Sequence, residues 1–586
     1  MIKDYSPIDR KPSRSPKKII SIATLLIILA LSSYQLWNFS VKNTSNSVTP
    51  QTFKCQTYEK VNGAETDKVK SLLTDPQFQN DTLTKLANAV RIPTEVYDTF
   101  PNPADNSSDP HWSEFSKLHT QLAQDFPSVW SKLSVETVNT FGLVLTWKGS
   151  DDSLKPLLLA AHMDVVPVER KTWNQWSHEP FGGEITNDPE HGTMIWGRGS
   201  FDDKNMLIGI LQTLEYIITQ ESDFVPKRSI IVAVGFDEEA SGYFGAKYIS
   251  KLLYERYGQD GIYAIIDEGV NGIKEVENVL VASPGTGEKG RLNLWIELNT
   301  PGGHSSVPPD HTSIGIAAEL ITNIEKEKFP ALFTSGNPVS QYYQCIAENS
   351  ETMPSDLKWD FLHAMDDADA NDRVIKYLIE TGGKKTEYLL RTTQAIDIIH
   401  GGIKANALPE TVAFLTDSRI SIESSIDETL QKFLNKTLDI SKKYDLGFIF
   451  EDEVLLPPTA NGKFNVTKFS SLAPAPVSPN NGVWKTFAGT IKGFYEDVVF
   501  PMKFGTEREL VVAPSIMTAN TDTAHYWNLT RNIYRYQPGF AMADTLSTIH
   551  SVNEHVDLET LMHVVAFNYE YIHVVDNLDN DGEFIV

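Results

Sequence analysis

Cysteine is almost absent from this chain of 586 residues, which contains only Cys55 and Cys345. Two cysteines are too few for a cysteine-rich metal module or for a small domain held together by several disulfides. One disulfide between them would form only in an oxidising compartment, and composition leaves that point open. Any metal site in this protein must therefore be built from His, Asp and Glu.

Basic residues are also in short supply. The chain has 51 Lys and Arg against 77 Asp and Glu, which gives a formal net charge of -26. Nucleic-acid binding depends on clustered Lys and Arg, so this balance argues against nucleic acid as a partner. Hydrophobic residues make up 41% of the chain, an ordinary share for a folded protein. The length is sufficient for two or three domains with sizeable cores.

The N-terminus has the pattern of a membrane signal anchor. Residues 1–18 form a basic tail, and the run from Ile19 to Trp37 contains no charged residue. About 20 apolar residues span a bilayer, and the basic flank is expected to stay in the cytosol. The sequence therefore predicts a single transmembrane helix at residues 19–37, with a cleaved signal peptide ending near Ala30-Leu31-Ser32 as the alternative. Both interpretations send the body of the chain into a secretory lumen or out of the cell.

Glycosylation sequons agree with that compartment, although such triplets also arise by chance. An Asn-x-Ser/Thr triplet begins at each of the following residues: Asn38, Asn43, Asn80, Asn106, Asn435, Asn465 and Asn528. The sequence therefore predicts a glycoprotein.

After a polar stalk at residues 38–60, the chain has the pattern of a large α/β domain interrupted by a smaller one. Between residues 61 and 288, apolar strands alternate with helical stretches, as in LLLAAHMDVV, MLIGILQTLEYII and SIIVAVGFDEEA. This alternation predicts an α/β fold with a mostly parallel sheet. From 289 to 455 the strands alternate apolar and polar residues, which predicts an inserted α+β domain with an antiparallel sheet. Residues 456–586 then complete the first domain.

Histidine and acidic side chains follow several of the predicted strands. His162 and Asp164 are two residues apart at the end of LLLAAHMD, so they point to the same side. Because α/β sheets bind ligands at the carboxyl ends of their strands, we expect one shared site for His162, Asp164, Asp202, Glu238, Glu239, Asp267, Glu268 and His550. Two histidines with several carboxylates suit zinc, manganese or cobalt, and a pair of metals would need one bridging carboxylate.

A set of short fragments carries a resemblance to a known family. In chain order the fragments are HMD, GRGSFDD, GFDEEASG, IIDEG, PGGHSS, NALPE and IHSVNEH. Together they resemble the M20 family of metallopeptidases, from about Leu86 to the end of the chain. The resemblance implies a hydrolase with two Zn²⁺ per subunit, bound at the carboxyl ends of the strands. It also implies that the inserted domain at 289–455 is a lid over this site.

The resemblance also implies the metal ligands, which are His162, Asp202, Glu239, Glu268 and His550. Asp202 would bridge the two ions. Its spacing from GRG supports this role, although Asp203 stands at the next position, where the family commonly has Met. In IIDEG, Asp267 is the alternative to Glu268.

Further residues match the catalytic and substrate-binding positions of the family. Glu238 is implied to be the general base, and Asp164 is implied to orient the first histidine. In the lid, His304 matches a histidine that helps to polarise the scissile carbonyl. Asn406 and Arg419 match residues that hold the substrate, and the planar guanidinium of an arginine suits a carboxylate.

The long form with an N-terminal anchor resembles the Gly-X carboxypeptidases of this family. That resemblance implies a single-pass protein facing the vacuolar lumen, which hydrolyses short peptides with water activated between the two metals and Glu238 as base. An N-acyl-amino-acid amidohydrolase with the same chemistry is one alternative. A membrane-tethered binding protein on an inactive scaffold is another, which the full set of expected site residues disfavours. The resemblance leaves open whether His304 acts within its own chain or across a homodimer formed through the lid.

Overall fold

The structure is a computed structural model that describes residues 53–188, 192–269, 272–540 and 543–582. The predicted cytosolic tail, the predicted anchor at 19–37, most of the stalk and the sequons at Asn38 and Asn43 lie outside these residues. Within them, no helix combines the length and the apolar character that crossing a membrane requires.

Strands and helices alternate along most of the described chain. The strands are β1 Ser134–Val138, β2 Gly142–Trp147, β3 Leu157–His162, β4 Glu184–Asp188, β5 Gly192–Trp196, β6 Ile230–Gly235, β7 Ala264–Asp267, β8 Ile273–Val276, β9 Val279–Ala282, β10 Gly285–Glu288, β11 Gly290–Asn299, β12 Gly303–His304, β13 Ala395–Gly401, β14 Ala407–Leu408, β15 Thr411–Ile420, β16 Gly447–Phe450, β17 Glu453–Leu456, β18 Lys463–Leu472, β19 Val511–Val512, β20 Ser515–Met517, β21 Ile533–Arg535 and β22 His555–Asp557. The α-helices are α1 Thr66–Thr74, α2 Pro76–Val90, α3 Ser113–Asp125, α4 Pro127–Lys132, α5 Lys204–Gln220, α6 Ala246–Tyr257, α7 Ser313–Lys326, α8 Pro338–Asn349, α9 Ser355–His363, α10 Ala368–Glu387, α11 Ile426–Lys443, α12 Gly482–Gly493, α13 Phe500–Phe504, α14 Ala543–Thr548 and α15 Leu558–Asp576.

Within the described residues, the larger sheet has eight strands in the order β1-β2-β6-β3-β7-β21-β10-β20. β6, β3, β7 and β21 run parallel to one another, and β10 is parallel to β20. In contrast, β2 is antiparallel to both β1 and β6, and β10 is antiparallel to β21. The α/β class predicted from the sequence is confirmed, and the sheet is mixed, with four parallel and three antiparallel pairs of neighbouring strands. One reason is that the connection from β2 to β3 contains no helix that could carry the chain across to a parallel neighbour.

The central strand β3 is apolar because both of its faces are covered. Leu157 and Leu159 belong to a core shared with α5 and α15, while Leu158 and Ala160 belong to a core shared with α6. Alternate side chains of a strand point to opposite faces, so a strand between two helical layers needs an apolar residue at every position. His162 is the first polar side chain of this strand, and it stands at the carboxyl edge of the sheet.

A second sheet has the strand order β13-β15-β11-β18-β16-β17 and is antiparallel except between β16 and β18. Alternate residues of β11, from Leu292 to Leu298, pack with residues of α7 and α11, which explains the alternating pattern of its sequence. The sheet extends to Leu472, beyond residue 455, where the sequence pattern predicts the end of the inserted lid domain. In β18 only Phe464 and Val466 are buried, so this strand carries a weak hydrophobic signal.

The helices α8, α9 and α10 pack against the larger part of the protein, although they lie within the chain segment of the lid. Their core includes Val281 of β9 and Ile516 of β20. A disulfide between Cys55 and Cys345 joins α8 to the chain that precedes α1. This helical elaboration therefore connects the start of the described chain to the edge of the larger sheet.

The sequons of the described residues differ in accessibility. Asn80, Asn106, Asn435 and Asn528 are exposed, whereas Asn465 is half-buried in β18. Glycosylation needs an accessible surface position, which the first four residues meet. The modification itself stays a prediction.

Candidate active site

Three neighbouring parallel strands bring polar residues to one edge of the larger sheet. β3 ends at His162, β6 ends shortly before a 3-10 turn at Glu238–Ala240, and β7 ends at Asp267. His162 pairs with Gly235 in the register of β3 and β6. These are carboxyl ends of parallel strands, where α/β sheets bind their ligands.

Asp202 lies between two histidines that are far apart in the sequence. Its Oδ1 is 3.1 Å from Nε2 of His162, and its Oδ2 is 3.1 Å from Nε2 of His550. Oε1 of Glu268 lies 3.6 Å from Nε2 of His162, and Oε2 of Glu239 lies 3.2 Å from Nε2 of His550. The site therefore consists of two imidazole–carboxylate groups that share one carboxylate.

Asp164 is fully buried and connects two parts of the site. Its carboxylate accepts hydrogen bonds from the N–H groups of Glu238 at 3.2 Å and Glu239 at 3.0 Å. Nδ1 of His162 is 3.1 Å from the carbonyl oxygen of Asp164 and 3.4 Å from its Oδ1. A proton on Nδ1 leaves the Nε2 lone pair facing Asp202, which is the orientation that a metal-binding imidazole needs.

Asp203 and Asp267 adjoin Asp202 and Glu268 in the sequence, but their carboxylates have different hydrogen-bond partners. Oδ2 of Asp203 accepts a hydrogen bond from the N–H of His162 at 3.2 Å, and Oδ1 of Asp267 accepts one from the N–H of Glu268 at 2.9 Å. Both of these carboxylates are buried. They are thus engaged by backbone N–H groups, whereas the carboxylates of Asp202 and Glu268 face the imidazole of His162.

Burial shifts the pKa values of the site residues. It raises the pKa of Glu238 and of Glu268 well above the ordinary value, and neighbouring carboxylates add to this effect. Hydrogen bonds with Asp202 and then Glu239 raise the pKa of His550 to about 10. These shifts favour the protonated forms of Glu238, Glu268 and His550, because several carboxylates lie close together here.

The donor set fits divalent metal ions. Ligand atoms of His162, Asp202 and Glu239 lie within 4.8 Å of one another, and so do those of His162, Glu238 and Glu268. Imidazole nitrogens and carboxylate oxygens suit zinc and similar ions. A shared carboxylate is the arrangement that holds two ions close together in hydrolytic sites.

Glu554 is a buried acid that is not among the site residues predicted from the sequence. Its Oε1 accepts hydrogen bonds from the N–H groups of Gly199, Phe201 and Asp202, at 2.9, 3.2 and 3.2 Å. Its Oε2 forms an ion pair with the guanidinium of Arg198, and neither side chain reaches the surface to a significant extent. Glu554 therefore holds the loop that presents Asp202. The available sequence signal was its place in the fragment IHSVNEH, which also contains the second histidine.

The predicted lid residues lie at two separate places. His304 and Asn406 are exposed neighbours on β12 and the chain before β14, where the N–H of Ser305 donates to the carbonyl of Asn406 at 3.3 Å. Arg419 lies near the opposite end of β15, about 26 Å from the start of this strand at about 3.3 Å per residue. There its Nη1 is 3.4 Å from Oδ1 of Asn520. The structure brings His304 next to Asn406, but it does not bring Arg419 next to either of them.

Comparison with known proteins places the chain in a family. The model of peptidase family M20/M25/M40 matches residues 158–573. The chain is similar to carboxypeptidase S of Saccharomyces cerevisiae, at 44% identity over 522 residues that cover 89% of this chain and 88% of that protein. It is also similar to the N-fatty-acyl-amino acid synthase/hydrolase PM20D1 of Bos taurus, at 30% identity over 508 residues that cover 85% of this chain and 88% of that protein.

A solved structure shares the fold. Human carnosine dipeptidase 1 superimposes with a TM-score of 0.56 at 13% sequence identity, over 88% of this chain and 99% of that one. The family match extends from the strand that carries His162 to the helix that follows His550, so it contains every residue grouped around Asp202. The family predicted from the sequence fragments is confirmed, and the chain belongs to the M20/M25/M40 family of metallopeptidases.

Proposed function

We propose that this protein is a di-zinc carboxypeptidase that releases the C-terminal residue of short peptides, with a Gly-X preference. The observation that carries the proposal is the pair of imidazole–carboxylate groups that share Asp202, with Glu238 beside them. Similarity to a protein named carboxypeptidase S supports the release of a C-terminal residue, and the Gly-X preference is what the family resemblance implies.

The proposed ligands of one ion are His162 and Glu268, those of the other are His550 and Glu239, and Asp202 is shared. When bound, the two ions supply the Lewis acidity that polarises a peptide carbonyl and lowers the pKa of a water molecule. The chain itself supplies rigid positioning, because Asp164 and Glu554 hold the backbone around these ligands.

Glu238 is the proposed general base. One of its carboxylate oxygens lies within 4.8 Å of ligand atoms of His162 and Glu268, so a water molecule in the site is within its reach. Glu238 takes a proton from this water as the oxygen attacks the carbonyl carbon. It then donates the proton to the leaving amine as the C–N bond breaks, which returns the carboxylate to its starting state.

A second candidate function is the hydrolysis of N-acyl amino acids. The bond broken is again an amide next to a free amino-acid carboxylate, and the two substrates differ only on the acyl side. Similarity to an N-fatty-acyl-amino acid synthase/hydrolase favours this candidate.

We also infer that residues 19–37 anchor the chain in a membrane with its body in the vacuolar lumen. The uncharged run after a basic tail supports the anchor. The disulfide between Cys55 and Cys345 fits an oxidising lumen, and four exposed sequons fit glycosylation there. Extraction of membranes with alkaline carbonate tests the anchor, since release of the full chain into the soluble fraction would contradict it.

His304 and Asn406 are proposed to act on substrate from a second copy of the chain, in a homodimer formed through the lid. The support is their exposed position at the end of the lid opposite Arg419. A residue that is remote from its own site can reach the equivalent site of a symmetry mate.

Purified protein is expected to release the C-terminal amino acid from N-blocked Gly-X dipeptides, and a zinc chelator is expected to stop this release. The measurement is mass spectrometry of a peptide library, run in parallel with N-acyl amino acids. Cleavage of N-acyl amino acids alone would favour the second candidate. The absence of chelator-sensitive hydrolysis of either class would reject both.

Replacement of Glu238 by Gln is expected to lower kcat by about 10²- to 10⁴-fold, because the amide cannot accept a proton. Zinc content, measured by elemental analysis, should stay at the wild-type value. Glu255→Gln, on the exposed face of α6, is the matched control and should keep wild-type turnover. Near-normal hydrolysis by the Glu238 variant would remove this residue from the mechanism.

Replacement of Glu554 by Gln is expected to weaken zinc binding by about 10- to 100-fold, because the loop that presents Asp202 loses its anionic acceptor. The measurement is competition with a chromogenic chelator. Glu570→Gln is the matched control, since Glu570 is a buried carboxylate that also accepts backbone hydrogen bonds, from Gly63 and Ala64. Unchanged zinc affinity in a folded Glu554 variant would contradict the role.

A mixture of two inactive variants, Glu238→Gln and His304→Ala, is expected to recover about a quarter of the wild-type activity after subunit exchange. Random exchange makes half of the pairs mixed, and each mixed pair has one complete site. The test is the hydrolysis rate of the mixture against that of each variant alone. Failure to recover activity, despite exchange shown by labelled subunits, would place His304 in its own chain.

A further inference from the structure

Two arginines lie opposite each other where the lid joins the larger sheet. β10 ends at Glu288 and β11 begins at Gly290, so the lid sheet starts directly after the larger sheet. In the register of β11 and β15, Arg291 pairs with Arg419. Residues directly opposite on neighbouring strands place their side chains on the same face. The end of the lid that adjoins the larger sheet therefore carries two guanidinium groups side by side.

Arg291 reaches the turn that carries the proposed general base. Its Nη1 and Nη2 are each 3.2 Å from Oγ of Ser241. Ser241 directly follows the turn at Glu238–Ala240 and has a left-handed backbone conformation, with φ of 76°. The guanidinium of Arg291 therefore lies beside the active-site turn although it belongs to the lid.

The three cationic side chains of this region, Lys289, Arg291 and Arg419, have different hydrogen-bond and ion-pair partners. Nε of Arg419 is 3.2 Å from Oδ1 of Asp417. Lys289 is fully buried, and its Nζ donates to the carbonyl oxygens of Tyr388 and Arg391. Among the described residues, no carboxylate forms an ion pair with Arg291, which is half-buried and whose Nε is buried without a hydrogen-bond partner.

An incompletely satisfied guanidinium is costly in a partly buried position. It is also unusual in a chain with a formal net charge of -26, in which acids are abundant. An arginine has five N–H donors in a fixed fork, and here two of its nitrogens share one neutral hydroxyl. A carboxylate would accept two parallel charge-assisted hydrogen bonds from the same group.

We propose that Arg291 binds the terminal carboxylate of the substrate, together with Arg419. This inference rests on the proposed peptidase function and identifies a residue that makes it an exopeptidase. A terminal carboxylate lies one residue beyond the scissile bond, about 3.8 Å from Cα to Cα, so its receptor must stand close to the general base. Arg291 meets that requirement because it contacts the residue after the Glu238–Ala240 turn.

The test compares a free acid with its amide. The substrates are benzyloxycarbonyl-Gly-Leu and benzyloxycarbonyl-Gly-Leu-amide, and the variants are Arg291→Met and Arg291→Lys. For the acid, Arg291→Met is expected to lower kcat/KM by about 10- to 100-fold, mainly through KM, while the amide changes little. Arg291→Lys should recover part of the loss because it keeps the charge. L-leucine should inhibit the Met variant more weakly than wild type, whereas inhibition by leucinamide should not change.

Two controls separate carboxylate binding by Arg291 from a structural role in holding the lid against the turn at Ser241. Ser241→Ala removes the contact between the lid and the turn but leaves the guanidinium, so the acid-to-amide ratio should stay at the wild-type value. Arg256→Met removes an arginine that pairs with Glu136 on the surface, and it should leave both rates unchanged. Equal losses for acid and amide in Arg291→Met, or the same loss in Ser241→Ala, would overturn the inference. If the wild-type protein hydrolyses neither compound, the proposed carboxypeptidase function is wrong, but the inference about Arg291 is not yet decided. The comparison of inhibition by leucine and by leucinamide then decides whether Arg291 recognises a carboxylate.

Discussion

The carboxylate of Asp202 lies between the imidazoles of His162 and His550, and both halves of the site depend on it. A carboxylate whose two oxygens each face an imidazole has little capacity left for other hydrogen bonds that could position it. Hydrogen bonds to the neighbouring backbone can set its position instead. Glu554 meets this need, because its carboxylate accepts the N–H groups of the loop around Asp202.

Other buried carboxylates around the site also accept hydrogen bonds from backbone N–H groups. Asp164 accepts the N–H groups of Glu238 and Glu239, and Asp237 accepts those of Phe244 and Gly245, both at 2.7 Å. Burial of a carboxylate costs free energy, which charge-assisted hydrogen bonds from the backbone offset. The acids of this region thus divide into those that face the imidazoles and those that shape the chain around them. The second group offsets part of the cost of its own burial through these backbone hydrogen bonds, while the first group stays available to a ligand.

The proposed substrate-binding residues of the lid lie at its two opposite ends. Arg291 and Arg419 lie next to the junction of the two sheets, whereas His304 and Asn406 lie at the opposite end of the lid. Rotation of a lid about its junction moves nearby residues little and distant residues far. A rotation of the lid would therefore change the positions of His304 and Asn406 more than those of Arg291 and Arg419.

The sequence by itself determined the α/β class, the family and the candidate residues around Asp202, because each depends on a local pattern. LLLAAH is apolar at every position since β3 is covered on both faces, and short fragments carry the site residues. The tertiary structure alone decided the antiparallel setting of β2, the extent of the lid sheet to Leu472, the contacts of Glu554 and the position of Arg291 beside Ser241. These features join residues that are distant in the chain, and such contacts depend on how whole elements pack, which no local periodicity encodes.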